Sequence, residues 1–222
     1  ERAEPRTGQE SDTWLTGHQW WWAAHYPESV VVRANEINIP AGNPFSIPLE
    51  SADCLHEFWV PEVARKRTTV PGQPNHIWIE SDHPGTFLGV CSEFCGTEHA
   101  WMHFLIVAET PEQFQAWEKA QLSPAAAPPN DSAARGLALF QQMSCMNCHA
   151  IDGTAAIAGV GPNLTHFGSR KILGAGVVDN TRANLRRWLT DPQEVKPGAK
   201  MPNFKFTGSQ VTELTDYIET LQ

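Results

Sequence analysis

Residues 123–133 read SPAAAPPNDSA, with three prolines, no large apolar side chain and one acidic residue. Such a stretch reads as a Pro/Ala linker, and its prolines favour a semi-extended chain of about 3.1 Å per residue. It denies the 222 residues one common core and leaves two shorter chains, 1–122 and 134–222, that must each bury their own. Material for two cores is present, since 41% of the residues are hydrophobic and nine are tryptophan. The longest apolar run, Phe104 to Ala108, falls far short of the roughly 20 residues a membrane helix needs. The chain starts at Glu1 with neither a methionine nor a signal peptide, so the expectation is a removed leader or a piece of something longer.

The two parts follow different periods. In the first, Val30–Ala34, Phe45–Leu49, His76–Glu80 and His103–Val107 are short β-branched or aromatic runs, punctuated by Pro, Gly and Asn. Regular short strands with such turns predict a sandwich or barrel. Pro111 opens a short helix over residues 111–121. In the second part Ala133–Met143, Thr181–Leu189 and Ser209–Leu221 carry apolar residues at helical spacing, the last behind a Ser cap. Ile151–Asn180, rich in glycine, reads as irregular, so the second part is expected to be all-α.

Charge is unevenly shared. The formal net charge is −9, with 7 Lys+Arg against 17 Asp+Glu over residues 1–121 and 9 against 8 beyond them. An acidic first part argues against nucleic acid as its partner and suits either a basic protein partner, with steering that salt would screen, or solubility alone.

Two of the five cysteines fall in CMNCH, residues 145–149. This Cys-x-x-Cys-His pattern is the attachment site of a c-type haem: Cys145 and Cys148 would form two thioethers from one turn of backbone, and His149 would meet the iron. A redox dithiol would want a βαβ setting, and a zinc site another Cys/His pair nearby. The candidate sixth ligands are His166, Met143, Met146 and Met201. Met143 and Met146 flank the attachment and cannot reach the far face, His166 reads as structural or surface, and Met201 sits in the loop PGAKMP, where a core residue is less expected. Two more cysteines lie in CSEFCGTEHAWM, residues 91–102. Cys91, Cys95, His99 and Met102 are soft donors of the kind found in copper electron-transfer sites. Two thiolates allow two bridged coppers, each wanting an imidazole; His99 supplies one, and His56 in DCLHEFWVP is the candidate for the other. Zinc and a Cys91–Cys95 disulfide are the alternatives. Cys54 reads as a buried apolar filler, on the His56 side of a strand.

Residues 133–222 resemble a class I cytochrome c, through Gly136, Phe140, CMNCH, Gly161-Pro162-Asn163-Leu164, Lys200-Met201-Pro202 and Tyr217. The resemblance implies that the first and last helices cross at Gly136, Phe140 and Tyr217, and that the Pro162 carbonyl orients His149. Residues 13–121 resemble the CuA domain of cytochrome c oxidase subunit II, through C-x-E-x-C-G-x-x-H-x-x-M and His-x-Phe-Trp-Val-Pro. That resemblance implies a cupredoxin-like Greek-key sandwich holding a binuclear copper. Its ligands would be His56, Cys91, Cys95, His99, Met102 and the Glu93 carbonyl, with the Glu93 side chain sharing a magnesium ion with the catalytic subunit. Electrons would enter at Trp20 of Trp20-Trp21-Trp22.

Together the two resemblances imply subunit II of a caa3-type haem–copper oxidase. Electrons would pass from an external donor (a cytochrome c, a copper protein or a quinol-oxidising complex) through haem c and CuA to the catalytic subunit, which reduces O2 and pumps protons. No O2 chemistry would sit on this chain. The expected place is the periplasmic or outer face of a bacterial cytoplasmic membrane, with anchoring by two N-terminal helices that the family carries. A free-standing electron carrier or sensor, and a fragment of a nitrous oxide reductase, are the competing readings.

Overall fold

Within residues 13–27 and 31–222, which the computed structural model describes, the chain divides between Leu122 and Ser123 into two units with separate cores. Among the described residues the first unit has ten strands: β1 (Trp14–His18), β2 (Trp21–Tyr26), β3 (Val31–Ala34), β4 (Glu36–Pro40), β5 (Phe45–Ser51), β6 (His56–Val60), β7 (Ala64–Thr69), β8 (Asn75–Ile79), β9 (Gly85–Cys91) and β10 (His103–Glu109). They form two five-stranded sheets in the orders β3-β2-β1-β5-β8 and β4-β10-β9-β6-β7. The pairs β1/β5 and β4/β10 are parallel and the other pairs antiparallel. The expected strand over Val30–Ala34 is seen from Val31 on, Val30 lying outside the described residues.

The sheets share one core. Trp22 from the first meets Phe58 and Phe104 from the second edge-on, at 6.1 and 5.6 Å between ring centres, and Phe58 stacks on Phe104 at 4.8 Å. The two-residue period of a strand then decides what faces inward. Along β6, His56, Phe58 and Val60 are fully buried while Glu57 and Trp59 are not. Along β9 the buried set is Phe87, Gly89 and Cys91. Phe58 lies opposite Cys91 in the antiparallel register, so His56 and Cys91 reach the same inner face from adjacent strands.

Helix α1 (Pro111–Gln121) closes the unit. It starts on a capping box, with Thr110 Oγ1 accepting from Gln113 N–H and Gln113 Oε1 from Thr110 N–H. Its Trp117 ring packs on Tyr26 at 5.0 Å.

The second unit contains α2 (Asp131–Gln142), α3 (Arg182–Thr190), α4 (Pro192–Val195) and α5 (Gly208–Ile218). The expectation of an all-α unit needs correction: β11 (Ile172–Leu173) and β12 (Val178–Asp179) form an antiparallel ladder inside the glycine-rich stretch. Gly174, Ala175 and Gly176 all take positive φ between them, which turns the chain back on itself. The first helix also begins earlier than read, because Asn130 caps it by accepting from Ala133 N–H. Residues 131–133 of the expected linker are thus helical, and Ala133 belongs to the second core, with Ala125 packed against it. The last is capped by Thr207 rather than Ser209.

Helices α2 and α5 pack backbone against backbone. A Cβ on Gly136 would lie 2.0 Å from the Glu213 carbonyl oxygen. Phe140 meets Tyr217 beside that contact at 6.0 Å. Ser132 Oγ donates to Asp216 Oδ2 at 2.5 Å, and Arg182 of α3 bonds both Asp216 and Glu219. Among the described residues no helix is long and apolar enough to cross a membrane.

Candidate metal centres

The connection from β9 to β10 folds back over the buried face that carries His56 and Cys91. It returns Cys95, His99 and Met102 to the same place. Cys91 Sγ stands 3.8 Å from Cys95 Sγ, with both thiols free. An imidazole flanks each sulfur: His56 Nδ1 lies 4.0 Å from Cys91 Sγ, and His99 Nδ1 3.6 Å from Cys95 Sγ. Met102 Sδ lies 3.8 Å from Cys95 Sγ, and the Glu93 carbonyl 3.3 Å from Cys91 Sγ. Donors sharing one cation at bond lengths of about 2.0–2.3 Å stand roughly 3–4.5 Å apart, so this set fits bound metal as it stands. Two sulfurs at the middle and one imidazole at each end suit a bridged pair of soft ions better than one tetrahedral zinc.

The close contacts of the pocket shift its groups in opposite directions. Cys91 is held far below the ordinary thiol range, first by the hydrogen bond from Cys95 and then by His56, against the effect of burial. Cys95 is pushed up by that same bond and by burial. Burial opposes charge on His56, yet Cys91 and Asp53 outweigh it and raise its pKa.

Supports reach the pocket from far along the chain. Asp53 Oδ1 holds His56 Nε2 at 2.8 Å, and Asp53 Oδ2 accepts from Gln19 N–H at 2.7 Å. The Cys95 carbonyl accepts from Gln19 Nε2 at 2.8 Å and from Trp20 Nε1 at 3.0 Å. Trp20, half-buried, therefore links a candidate metal ligand to the surface. The sequence reading missed Asp53 and Gln19; Asp53 lies only three residues before His56, while nothing local marks Gln19.

Cys54 also departs from expectation. It sits in a bend before β6, half-exposed, with its sulfur 3.7 Å from His56 Nε2, and is not a strand residue buried as filler. Two hydrogen bonds within the bend, from Cys54 N–H to Asp53 Oδ1 and from Ser51 Oγ to the Cys54 carbonyl, fix the backbone that presents this side chain.

In the second unit Cys145–Asn147 form a single 3-10 turn, and His149 N–H returns to the Cys145 carbonyl at 3.0 Å. His149 Nδ1 lies 2.8 Å from the Pro162 carbonyl, which can only accept. The proton is thereby fixed on Nδ1 and the Nε2 lone pair is left for a metal. Burial lowers the His149 pKa, with Arg170 adding and Pro162 opposing, so the ring is neutral at pH 7. Gly161 lets the ring sit there, since a Cβ would fall 2.8 Å from His149 Cε1. Cys145 and Cys148 are partly exposed, as residues that receive a covalent group must be. Met201 borders the same core as Cys145, its sulfur accepting from Trp188 Nε1 at 3.0 Å. The sequence reading placed Trp188 in a helical apolar face and missed this bond.

A cupredoxin-like sandwich with a soft-donor pocket, joined to a unit with an oriented Cys-x-x-Cys-His, defines a protein class: two-unit carriers of copper and haem c. Residues 30–110 match the family model for the periplasmic domain of cytochrome c oxidase subunit II, and residues 133–222 that for cytochrome c. The chain thus joins a domain of the cytochrome c oxidase subunit II family to a cytochrome c domain.

It is 37% identical over 209 residues to the cytochrome c oxidase subunit 2 of Alkalihalophilus pseudofirmus, covering 94% of this chain and 60% of that protein. It is 33% identical over 220 residues to that of a Bacillus species, covering 94% and 61%. The chain therefore spans about 60% of the length of these relatives. The crystallised periplasmic domain of cytochrome oxidase subunit II from Bradyrhizobium japonicum is 27% identical, with a TM-score of 0.48 over 51% of this chain and 95% of that one.

Proposed function

We propose that this chain is the electron-transfer part of subunit II of a haem–copper oxidase, on the periplasmic face of a bacterial membrane and anchored there. It would receive electrons from an external donor and pass them to the catalytic subunit that reduces O2 to water and pumps protons. One observation carries the reading. The same chain holds a pocket with two sulfurs 3.8 Å apart, an imidazole at each end, and a His149 whose Nε2 is kept free by Pro162.

His56, Cys91, Cys95, His99, Met102 and the Glu93 carbonyl would hold a copper pair. Cys145 and Cys148 would bind haem covalently, with His149 and Met201 as iron ligands. Bound there, these groups supply one-electron relay sites that change little in geometry on reduction. The chain's own contribution is rigidity. His56 and Cys91 stand on paired strands, Asp53 fixes the His56 ring, and Gln19 and Trp20 tie down the Cys95 carbonyl. The Glu93 carboxylate, only partly buried, is the group that would share a magnesium ion with the catalytic subunit. Trp20 is the residue through which electrons would reach the copper pocket.

The copper-to-iron ratio of the loaded chain, taken with its visible and near-infrared spectrum, tests this. The expected result is two coppers per haem with a delocalised mixed-valence band. One copper, zinc, or an oxidised Cys91–Cys95 pair would leave the cytochrome domain standing and remove the oxidase reading.

A further inference from the structure

His56 has two ring nitrogens, and they face different sulfurs. Nδ1 looks into the pocket toward Cys91, while Nε2 looks outward to Asp53 Oδ1 at 2.8 Å and Cys54 Sγ at 3.7 Å. The ligand atoms of Asp53, Cys54 and His56 all lie within 4.8 Å of one another, as do those of His56, Cys91 and Cys95. Two three-residue clusters therefore share one fully buried imidazole. They differ in access. Cys91 and Cys95 are buried, whereas Asp53 keeps 31% of its side chain exposed and Cys54 is half-buried, so the outer cluster is the more accessible of the two.

We propose that Asp53, Cys54 and His56 Nε2 form a second, outer site for a soft cation, Cu(I), on the way into the pocket. The inference rests on the reading of that pocket as a copper site. The donor set is one thiol, which would give up its proton on binding metal, one imidazole and one carboxylate, and the sulfur and nitrogen suit Cu(I). A carboxylate alone would favour a hard ion, but Asp53 is already engaged by Gln19 N–H and Cys54 N–H, leaving the thiolate and imidazole as the dominant pair. The Cys54 sulfur also lies 3.8 Å from the Cys95 carbonyl, next to the inner thiolates. A neutral imidazole has one lone pair, so His56 serves one cluster at a time. The outer site is thus occupied while the inner one is empty or half-filled. Once Nδ1 binds metal inside, Nε2 carries the proton and donates it to Asp53, which is the orientation the filled pocket needs.

The test uses the full haem-loaded chain with Cys91→Ser and Cys95→Ser, in which the haem sulfurs are engaged and Cys54 is the remaining thiol. Cu(I) affinity is measured by competition with a chromogenic Cu(I) chelator, and the copper environment by X-ray absorption. The expected result is one Cu(I) per chain with one sulfur and one imidazole nitrogen bound, and at least a tenfold weaker Kd when Cys54→Ser is added. An unchanged Kd on adding Cys54→Ser, or a bound copper without sulfur, overturns the outer site. Copper uptake by the unsubstituted chain is read separately: failure to take up two ions there counts against the oxidase reading and leaves the outer-site result to stand or fall on Cys54 alone.

Discussion

The reach of Asp53 to His56 shows how a site residue depends on neighbours that a motif does not contain. Cys91, Cys95, His99 and Met102 were legible because one loop holds all four within twelve positions, where soft donors at that spacing have few other uses. His56 was legible only as a candidate, because its place beside Cys91 is set by strand pairing and not by spacing. The contacts of Gln19 and Trp20 to the Cys95 carbonyl span 76 and 75 residues, and no local pattern encodes them. Cys54 was misread because the bend at residues 52–54 breaks the alternation that would have buried it. Asp53 itself is held below the ordinary carboxyl range: burial opposes its charge, but Gln19 N–H, the His56 ring and Cys54 N–H outweigh it. It therefore stays ionised and keeps the ring oriented. Asp53→Asn retains the shape and loses the charge. It should weaken copper binding in the pocket by about 10–100-fold, as loss of a carboxylate behind a ligating histidine typically does. Competition with a copper chelator checks this, and an affinity within twofold of the parent would show that the carboxylate is not what fixes His56.

Elements were read more easily in the second unit than in the first. A helix announces itself over three or four turns, and each long helix was found within two residues at its start. The strands Glu36–Pro40 and Ala64–Thr69 were not foreseen, because one is buried along nearly its whole length and the other is rich in Arg and Lys, so neither alternates. The helix crossing gives two tests. Gly136→Ala would drive a methyl into the Glu213 carbonyl, which is backbone and cannot step aside without moving α5. The expected loss is about 1–3 kcal/mol of unfolding free energy for the haem-loaded second unit, read by denaturant at the haem absorbance.

Asp216 joins three helices through Ser132 and Arg182, and the bond from Ser132 first, then Arg182, holds its pKa below the ordinary value against slight burial. A carboxyl whose folded pKa is depressed adds stability above its unfolded pKa, and that contribution is lost as pH falls through the folded value. Asp216→Asn should therefore lower stability at pH 7 by up to about 1 kcal/mol, and the difference from the parent should shrink as pH drops below about 4. A gap that persists unchanged at pH 3 would assign the loss to packing.

At the scale of the whole molecule the proposed function gives the linker a kinetic role. On that function, electron exchange between two sites on one chain is an intramolecular step, at an effective concentration set by the tether. The rate at which electrons placed on the second unit reach the first should then be independent of protein concentration. Salt should alter it modestly, because the second half is near neutral against the acidic first half. Within the first unit Trp20 is the one member of the aromatic triplet whose side chain bonds a candidate metal ligand, through Nε1 to the Cys95 carbonyl. Trp22 is instead sealed in the core between the sheets, and Trp21 stacks on His18. Trp20→Ala should slow transfer at least tenfold while both absorption spectra stay as in the parent, measured by flash reduction of the loaded chain. Trp20→Phe separates the two contributions: it keeps an aromatic ring and removes the N–H. If Phe restores the rate, the ring is the route; if Phe is as slow as Ala, the hydrogen bond to Cys95 is. A rate unchanged in both variants means that electrons enter the copper pocket by another face, and Trp20 then serves only to anchor the loop that carries Cys95.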